Sequence, residues 1–150
     1  VQALRLVPIA ITGDTLERTA PHWLPFLPMI ARRSKESLPT LLDRIMRHEV
    51  RIALIEDETT GKAVALLGVT LHYRGTDLIA DWIWMAGHGR KAWEHLLPEF
   101  EQMLREAGCV ECRPLCRPGW RKILERAGYR LTHVQMEKPL WADPQHPKKQ

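Results

Sequence analysis

Apolar residues recur along this chain with two different periods, and the switches between them mark the expected elements. Leu4-Arg5-Leu6-Val7-Pro8-Ile9 reads as a first strand, after which Asp14 is expected to cap a short helix beginning at Thr15. Pro21, Pro25 and Pro28 each remove a backbone donor, so residues 20–30 are predicted as short turns or helix fragments rather than one long helix. Trp23, Phe26, Leu27 and Ile30 nevertheless keep helical spacing and are expected to plug the core. Ser37 predicts the cap of a further helix, with Leu38, Leu41, Leu42, Ile45 and Met46 on one apolar face.

From Val50 the period changes to that of strands. Residues 51–55 and 63–71 flank the polar turn Asp57-Glu58-Thr59-Thr60-Gly61-Lys62 and predict a β-hairpin. A second turn at Arg74-Gly75-Thr76 leads into Leu78–Met85, completing an antiparallel meander. That strand is apolar on both faces, which predicts a place at the middle of a mixed sheet. Gly87-His88-Gly89 breaks it. Ala92, Trp93, Leu96, Leu97, Phe100, Met103, Leu104 and Ala107 then share one helical face, with a kink expected at Pro98 and a stop at Gly108. A short strand over residues 110–115 follows. Pro118 opens a helix with Trp120, Ile123, Leu124 and Ala127 inward, Gly128 closes it, and a last strand is expected from Tyr129 to Met136.

The chain of 150 residues is the size of one domain, with no repeat and no Gly/Ser linker, so residues 1–141 are expected to form a single domain and 142–150 a polar tail. An apolar share of 45% and a charged share of 27% suit an ordinary soluble domain. No apolar run approaches the roughly 20 residues of a membrane-spanning helix, and no membrane role is expected. The first residues lack the pattern of a secretory signal, so export is not expected. Cys109, Cys112 and Cys116 are odd in number and clustered, which suits a reducing compartment. The expected location is therefore cytoplasmic, in a bacterium or a phage-infected host.

The charge is uneven. Residues 105–150 hold ten Lys/Arg against five Asp/Glu, a net +5 within a total of +4, so a basic C-terminal part would attract phosphates of a nucleotide cofactor or a nucleic acid. Arg113, Arg117, Arg121, Lys122 and Arg126 carry that potential, but no nucleic-acid motif accompanies them. The alternative is a solvated basic face. The cysteines lack the fourth ligand of a zinc site, and Cys109 and Cys112 are expected on opposite faces of one strand, so no metal is assigned.

The order strand, two helices, three antiparallel strands, helix, strand, helix, strand resembles the GNAT superfamily of N-acetyltransferases over roughly residues 3–140. Residues 84–92, Trp-Met-Ala-Gly-His-Gly-Arg-Lys-Ala, stand where that family has its glycine-rich loop, and Ile123-Leu124-Glu125-Arg126-Ala127-Gly128-Tyr129 looks like its late helix ending in glycine-aromatic. The resemblance implies an α/β fold, with a mixed, mostly antiparallel central sheet flanked by helices, and transfer of an acyl group from acetyl-CoA to an amine. Glycine lets a backbone approach a ligand closely, and N–H groups at a helix start attract pyrophosphate. Gly87, His88, Gly89, Arg90 and Lys91 are thus the candidate cofactor-binding residues.

The family pattern is incomplete here. With Gly89 on the family glycine, Ala86 stands at the usual Gln/Arg and Lys91 at the final small residue. Leu124 stands where many members carry a tyrosine that protonates the departing thiolate, which leaves Tyr129 as the candidate acid. For the general base, Asp77 and Asp81 lie in the comparable strand, and Asp81 is the candidate. It points either into a cleft, where desolvation would favour its neutral form, or into solvent. His72 and His88 are alternatives, each without a partner visible in the sequence. The competing reading is a non-catalytic GNAT-like protein with a protein assembly partner, similar to small phage-encoded virion-associated proteins; nucleic-acid binding is a third.

Overall fold

The computed structural model describes residues 3–141; the segment expected as a tail, 142–150, lies outside the described residues. By its internal contacts the chain divides into two compact units, Val1–Cys116 and Arg117–Gln150.

The first unit is built on one five-stranded sheet whose spatial order follows the sequence: β1 (Leu4–Pro8), β2 (Arg51–Asp57), β3 (Ala63–Arg74), β4 (Asp77–Gly87) and β5 (Cys109–Pro114). Neighbours pair antiparallel except β4 and β5, which are parallel and so need a crossover connection. The 57–62 and 74–77 turns fall where the sequence puts them. Asp57 Oδ1 accepts from the N–H groups of Thr59 and Thr60, which closes the first turn. The middle strand is β3, not β4 as expected, because β5 is the last strand among the described residues.

One face of the sheet is covered by α1 (Gly13–Trp23), α2 (Leu27–Ser34) and α3 (Leu38–Met46), and Leu16, Trp23, Leu27, Ile30, Leu41 and Ile45 pack with Ile52, Leu54, Leu66 and Trp84. Helix α1 starts earlier than expected. Thr12, extended at φ −69 and ψ 137, is its N-cap, while Asp14 lies within the first turn and pairs with Arg18 at 2.8 Å. A carboxylate there is favoured by the helix dipole. The three prolines do give fragments: Pro25 and Pro28 stand in the first turn of a 3-10 segment and of α2, and Pro21 sits inside α1 near its end. Ser37 caps α3, its Oγ accepting from Thr40 N–H at 3.2 Å. Only Leu41 and Ile45 of the expected α3 face are buried; Leu38, Leu42 and Met46 are exposed beside them.

The crossover to β5 is broken more sharply than a kink. It comprises α4 (Arg90–Trp93), a 3-10 turn over Glu94–Leu96 and α5 (Leu97–Glu106). Pro98 stands in the first turn of α5, where its missing N–H leaves no helical bond unmade. Phe100 of α5 meets the indole of Trp82, ring centroids 4.8 Å apart at 53°. Trp82 and Trp84, two apart, serve opposite faces because the β3–β4 register slips between them: Gly68 pairs with Trp84 and Val69 with Trp82, leaving Ile83 as a bulge. Gly68 makes room for this, since a Cβ there would lie 2.8 Å from Cε3 of Trp84.

In the second unit a 3-10 turn (Pro118–Trp120) leads into α6 (Arg121–Arg126). Ile123 and Leu124 are buried and Ala127 is exposed. Gly128 ends the helix at φ +95, and the N–H of Tyr129 returns to Leu124 O at 2.9 Å. The expected last strand is absent: 129–136 has no ladder, and Leu131, Val134 and Met136 are exposed. Alternation makes a segment two-faced, but a strand also needs a neighbouring backbone to bond.

Phe100→Ala removes a fully buried ring and is expected to cost about 3–5 kcal/mol in denaturant unfolding, whereas Leu24→Ala at an exposed position stays within about 0.5 kcal/mol.

Candidate functional site

The strands β4 and β5 run together only part of the way. Their register ends at Trp82 and Pro114, with one further bond from Leu115 N–H to Trp82 O at 2.9 Å. β4 continues through Ile83–Gly87, paired on its other edge with β3 alone. The N–H of His88 donates to Val64 O at 3.1 Å, and since bonded pairs alternate in an antiparallel ladder, Ala86 also faces β3 while Met85 turns its backbone groups to the open edge. On that edge Nη1 of Arg33, from the end of α2, donates to Met85 O at 2.7 Å. The result is a fork with a backbone edge along one side.

The glycine turn closes the end of that edge. Gly87 has φ +140, and a Cβ there would fall 2.3 Å from Val64 O and 2.6 Å from Ala65 Cα, so this glycine is required by packing against β3. Gly89 is different. It is the N-cap of α4 at φ +66, and a Cβ would meet only Ala92 Cβ, at 3.9 Å. The space over Gly89 is open, and Gly89 supplies no capping side chain. Gly87, His88, Gly89, Arg90 and Lys91 are therefore together in one turn at the fork's end, although α4 is a single helical turn rather than the start of a long helix.

Asp81 points neither into an empty cleft nor freely into solvent. It lies opposite Arg113 in the β4–β5 register, one residue before the fork opens, and Arg113 grips it with Nε to Oδ1 at 2.8 Å and Nη2 to Oδ2 at 3.3 Å. This hydrogen bond, ahead of any other influence, raises the already high pKa of the guanidinium. His72 of β3 completes the group: its Nδ1 lies 3.3 Å from Asp81 Oδ2, and its Nε2 lies 3.3 Å from Nη2 of Arg113. Arg74 and Glu111 pair at 3.4 Å farther along the same sheet face. Sequence reasoning missed Arg113 as the partner of Asp81. The crossover through α4 and α5 separates the two strands along the chain, and only the folded sheet sets Asp81 across from Arg113.

Tyr129 belongs to the second unit, where it follows Gly128 and is half-buried. The cysteines depart from expectation. The β4–β5 register slips at Val110, so Cys109 and Cys112 lie opposite Leu78 and Ala80 and share a face of β5 instead of taking opposite ones. Burial pushes the Cys109 thiol up, only partly offset by the charge of Arg51, which keeps it protonated at neutral pH. Among the described residues no group of three or more His, Cys, Asp or Glu is gathered as a metal site, and no helix is long and apolar enough to cross a membrane.

No protein-family model matches the chain, and no curated protein matches its sequence. Solved structures do match its fold. A probable acetyltransferase has a TM-score of 0.65 at 18% identity, covering 93% of this chain and 99% of its own. Glucosamine-6-phosphate N-acetyltransferase from Arabidopsis thaliana has a TM-score of 0.62 at 14% identity, covering 95% and 100%. An aminoglycoside N-acetyltransferase in complex with CoA has a TM-score of 0.64 at 10% identity, covering 92% and 95%. The fold is thus GNAT-like: a mixed, mostly antiparallel five-stranded sheet flanked by helices.

The two kinds of glycine are separable by stability. Gly87→Ala is expected to lose about 3 kcal/mol through overlap with the β3 backbone, and Gly75→Ala, left-handed but in open space, about 1–2 kcal/mol. Chemical denaturation of both variants checks the difference.

Proposed function

We propose that the chain is an acyl-CoA-dependent N-acyltransferase that moves an acetyl group from acetyl-CoA to an amine. The observation that carries this reading is the fork: past Trp82 no described strand pairs with the outer edge of β4, and that stretch ends at a glycine turn with open space over Gly89. The amides of a pantetheine arm suit such an edge, because they offer the donors and acceptors that a neighbouring strand would offer. The solved structures that share the fold include acetyltransferases, one of them with CoA bound, which supports the same reading.

In this reading Gly87, His88, Gly89, Arg90 and Lys91 hold the cofactor's pyrophosphate, with close backbone approach at Gly89 and positive charge from Arg90 and Lys91. The bound thioester supplies the acyl group. Asp81 anchors the proton-accepting site, since an ammonium must lose a proton before its nitrogen can attack. Sequence reasoning alone nominates Tyr129 as the acid that returns a proton to the departing thiolate. The second reading, a non-catalytic binding or assembly protein, is favoured by Leu124, a buried apolar residue where many GNAT enzymes carry their tyrosine.

Calorimetric titration with acetyl-CoA is expected to show binding, and Gly89→Val to weaken it about tenfold or more, the equivalent of ~1.4 kcal/mol, with the circular dichroism spectrum preserved. No binding by the wild type would overturn the reading and favour the assembly role; unchanged affinity in the variant would move the pyrophosphate away from this turn. A Tyr129→Phe variant is expected to lose turnover, and unchanged turnover would assign thiolate protonation to water.

A further inference from the structure

The histidine beside Asp81 has chemistry that the carboxylate lacks. Both oxygens of Asp81 already accept from the guanidinium of Arg113, which leaves the carboxylate poorly placed to take a proton from a third group. His72 stands between the same two partners. Arginine offers only donors, so in the neutral ring Nε2 is the acceptor facing Nη2 of Arg113, and the ring's proton sits on Nδ1, 3.3 Å from Asp81 Oδ2. The side chain of His72 is 41% exposed against 20% for Asp81, so the imidazole is the more accessible of the two.

Resting on the acyltransferase reading above, we propose that His72 is the catalytic base, with Asp81 its positioning residue and Arg113 the clamp that fixes Asp81. The incoming ammonium replaces Arg113 at Nε2 and gives that nitrogen one proton. Arg113 meanwhile keeps its shorter bond to Asp81 through Nε. The imidazolium so formed carries protons on both nitrogens, and the charge of Asp81 beside Nδ1 offsets it. The freed amine nitrogen bonds to the thioester carbon and the carbon–sulfur bond breaks; the sulfur keeps the electron pair and is protonated by the acid of the reading above, which the second nitrogen proton restores, leaving amide and thiol. His72 then returns its proton to water. No other reactant is needed.

The sheet geometry supports this assignment. His72 and Asp81 share the sheet face that α1–α3 cover farther along, and Asp81 is one residue from where the strands part. Of the other charges on that face, Arg74 and Glu111 pair with each other, and Asp77 lies opposite Arg74 in the register. A positive and a negative partner thus bracket the ring, one orienting each nitrogen.

The experiment compares wild type, His72→Gln and Asp81→Asn for acetyl-CoA binding by calorimetry and for acyl transfer to a panel of primary amines across pH. His72→Gln is expected to bind acetyl-CoA within about twofold of wild type, to lose about 10²–10⁴ in kcat, and to lose the acid limb of the pH profile. Asp81→Asn is expected to lose less in kcat, with KM for acetyl-CoA unchanged, because His72 is still present but less well held. Transfer by wild type with equal turnover in His72→Gln would overturn the proposal while leaving the acyltransferase reading intact. Complete loss in Asp81→Asn with an active His72→Gln would make Asp81 itself the base. Binding without transfer to any amine, or no binding at all, would overturn both.

Discussion

A strand bonded along both edges has no backbone left to offer a ligand, and β4 is bonded on both edges only as far as Trp82. Beyond that point β3 continues beside it and β5 does not. The bulge at Ile83 falls at the same place and turns Trp84 to the helical face opposite that of Trp82. One irregularity therefore does two things: it puts a large aromatic ring on each face of the sheet, and it re-aims the part of β4 that runs along the fork. Gly68, beneath Trp84, is the sequence feature that permits it.

The ion cluster belongs to the same constraint. Asp81 and Arg113 are directly opposed in the last stretch where β4 and β5 pair, so their bond joins the strands just before they separate. Both are partly exposed, and their worth to global stability is modest. Their value lies in geometry, since the bidentate contact fixes the carboxylate and, through it, the ring of His72.

Much of the fold was legible because it rests on local signals. The hairpin turn at 57–62, the Ser37 cap and the glycine break after β4 are encoded in the residues that form them. The errors arose where a second chain segment decides. Residues 129–136 alternate like a strand but have no ladder, and the face of α3 is narrower than its leucines suggest because only the Leu41–Ile45 line meets the core. The slip at Val110, which brings Cys109 and Cys112 to one face, is invisible without the register. The site was legible in the same proportion. The glycine turn is a local motif and could be found; the pairing of Asp81 with Arg113 and His72 spans three strands and could not.

The central claim is that the open edge of β4 and the turn after it form one ligand-binding surface, and amide hydrogen exchange with and without acetyl-CoA tests it most directly. The account predicts slowed exchange at Met85 and through Gly89–Lys91, where the backbone gains a partner, with little change in β1 and β2 on the far side of the sheet. Unchanged exchange at Met85 and the turn, under conditions where calorimetry shows the ligand bound, would contradict it.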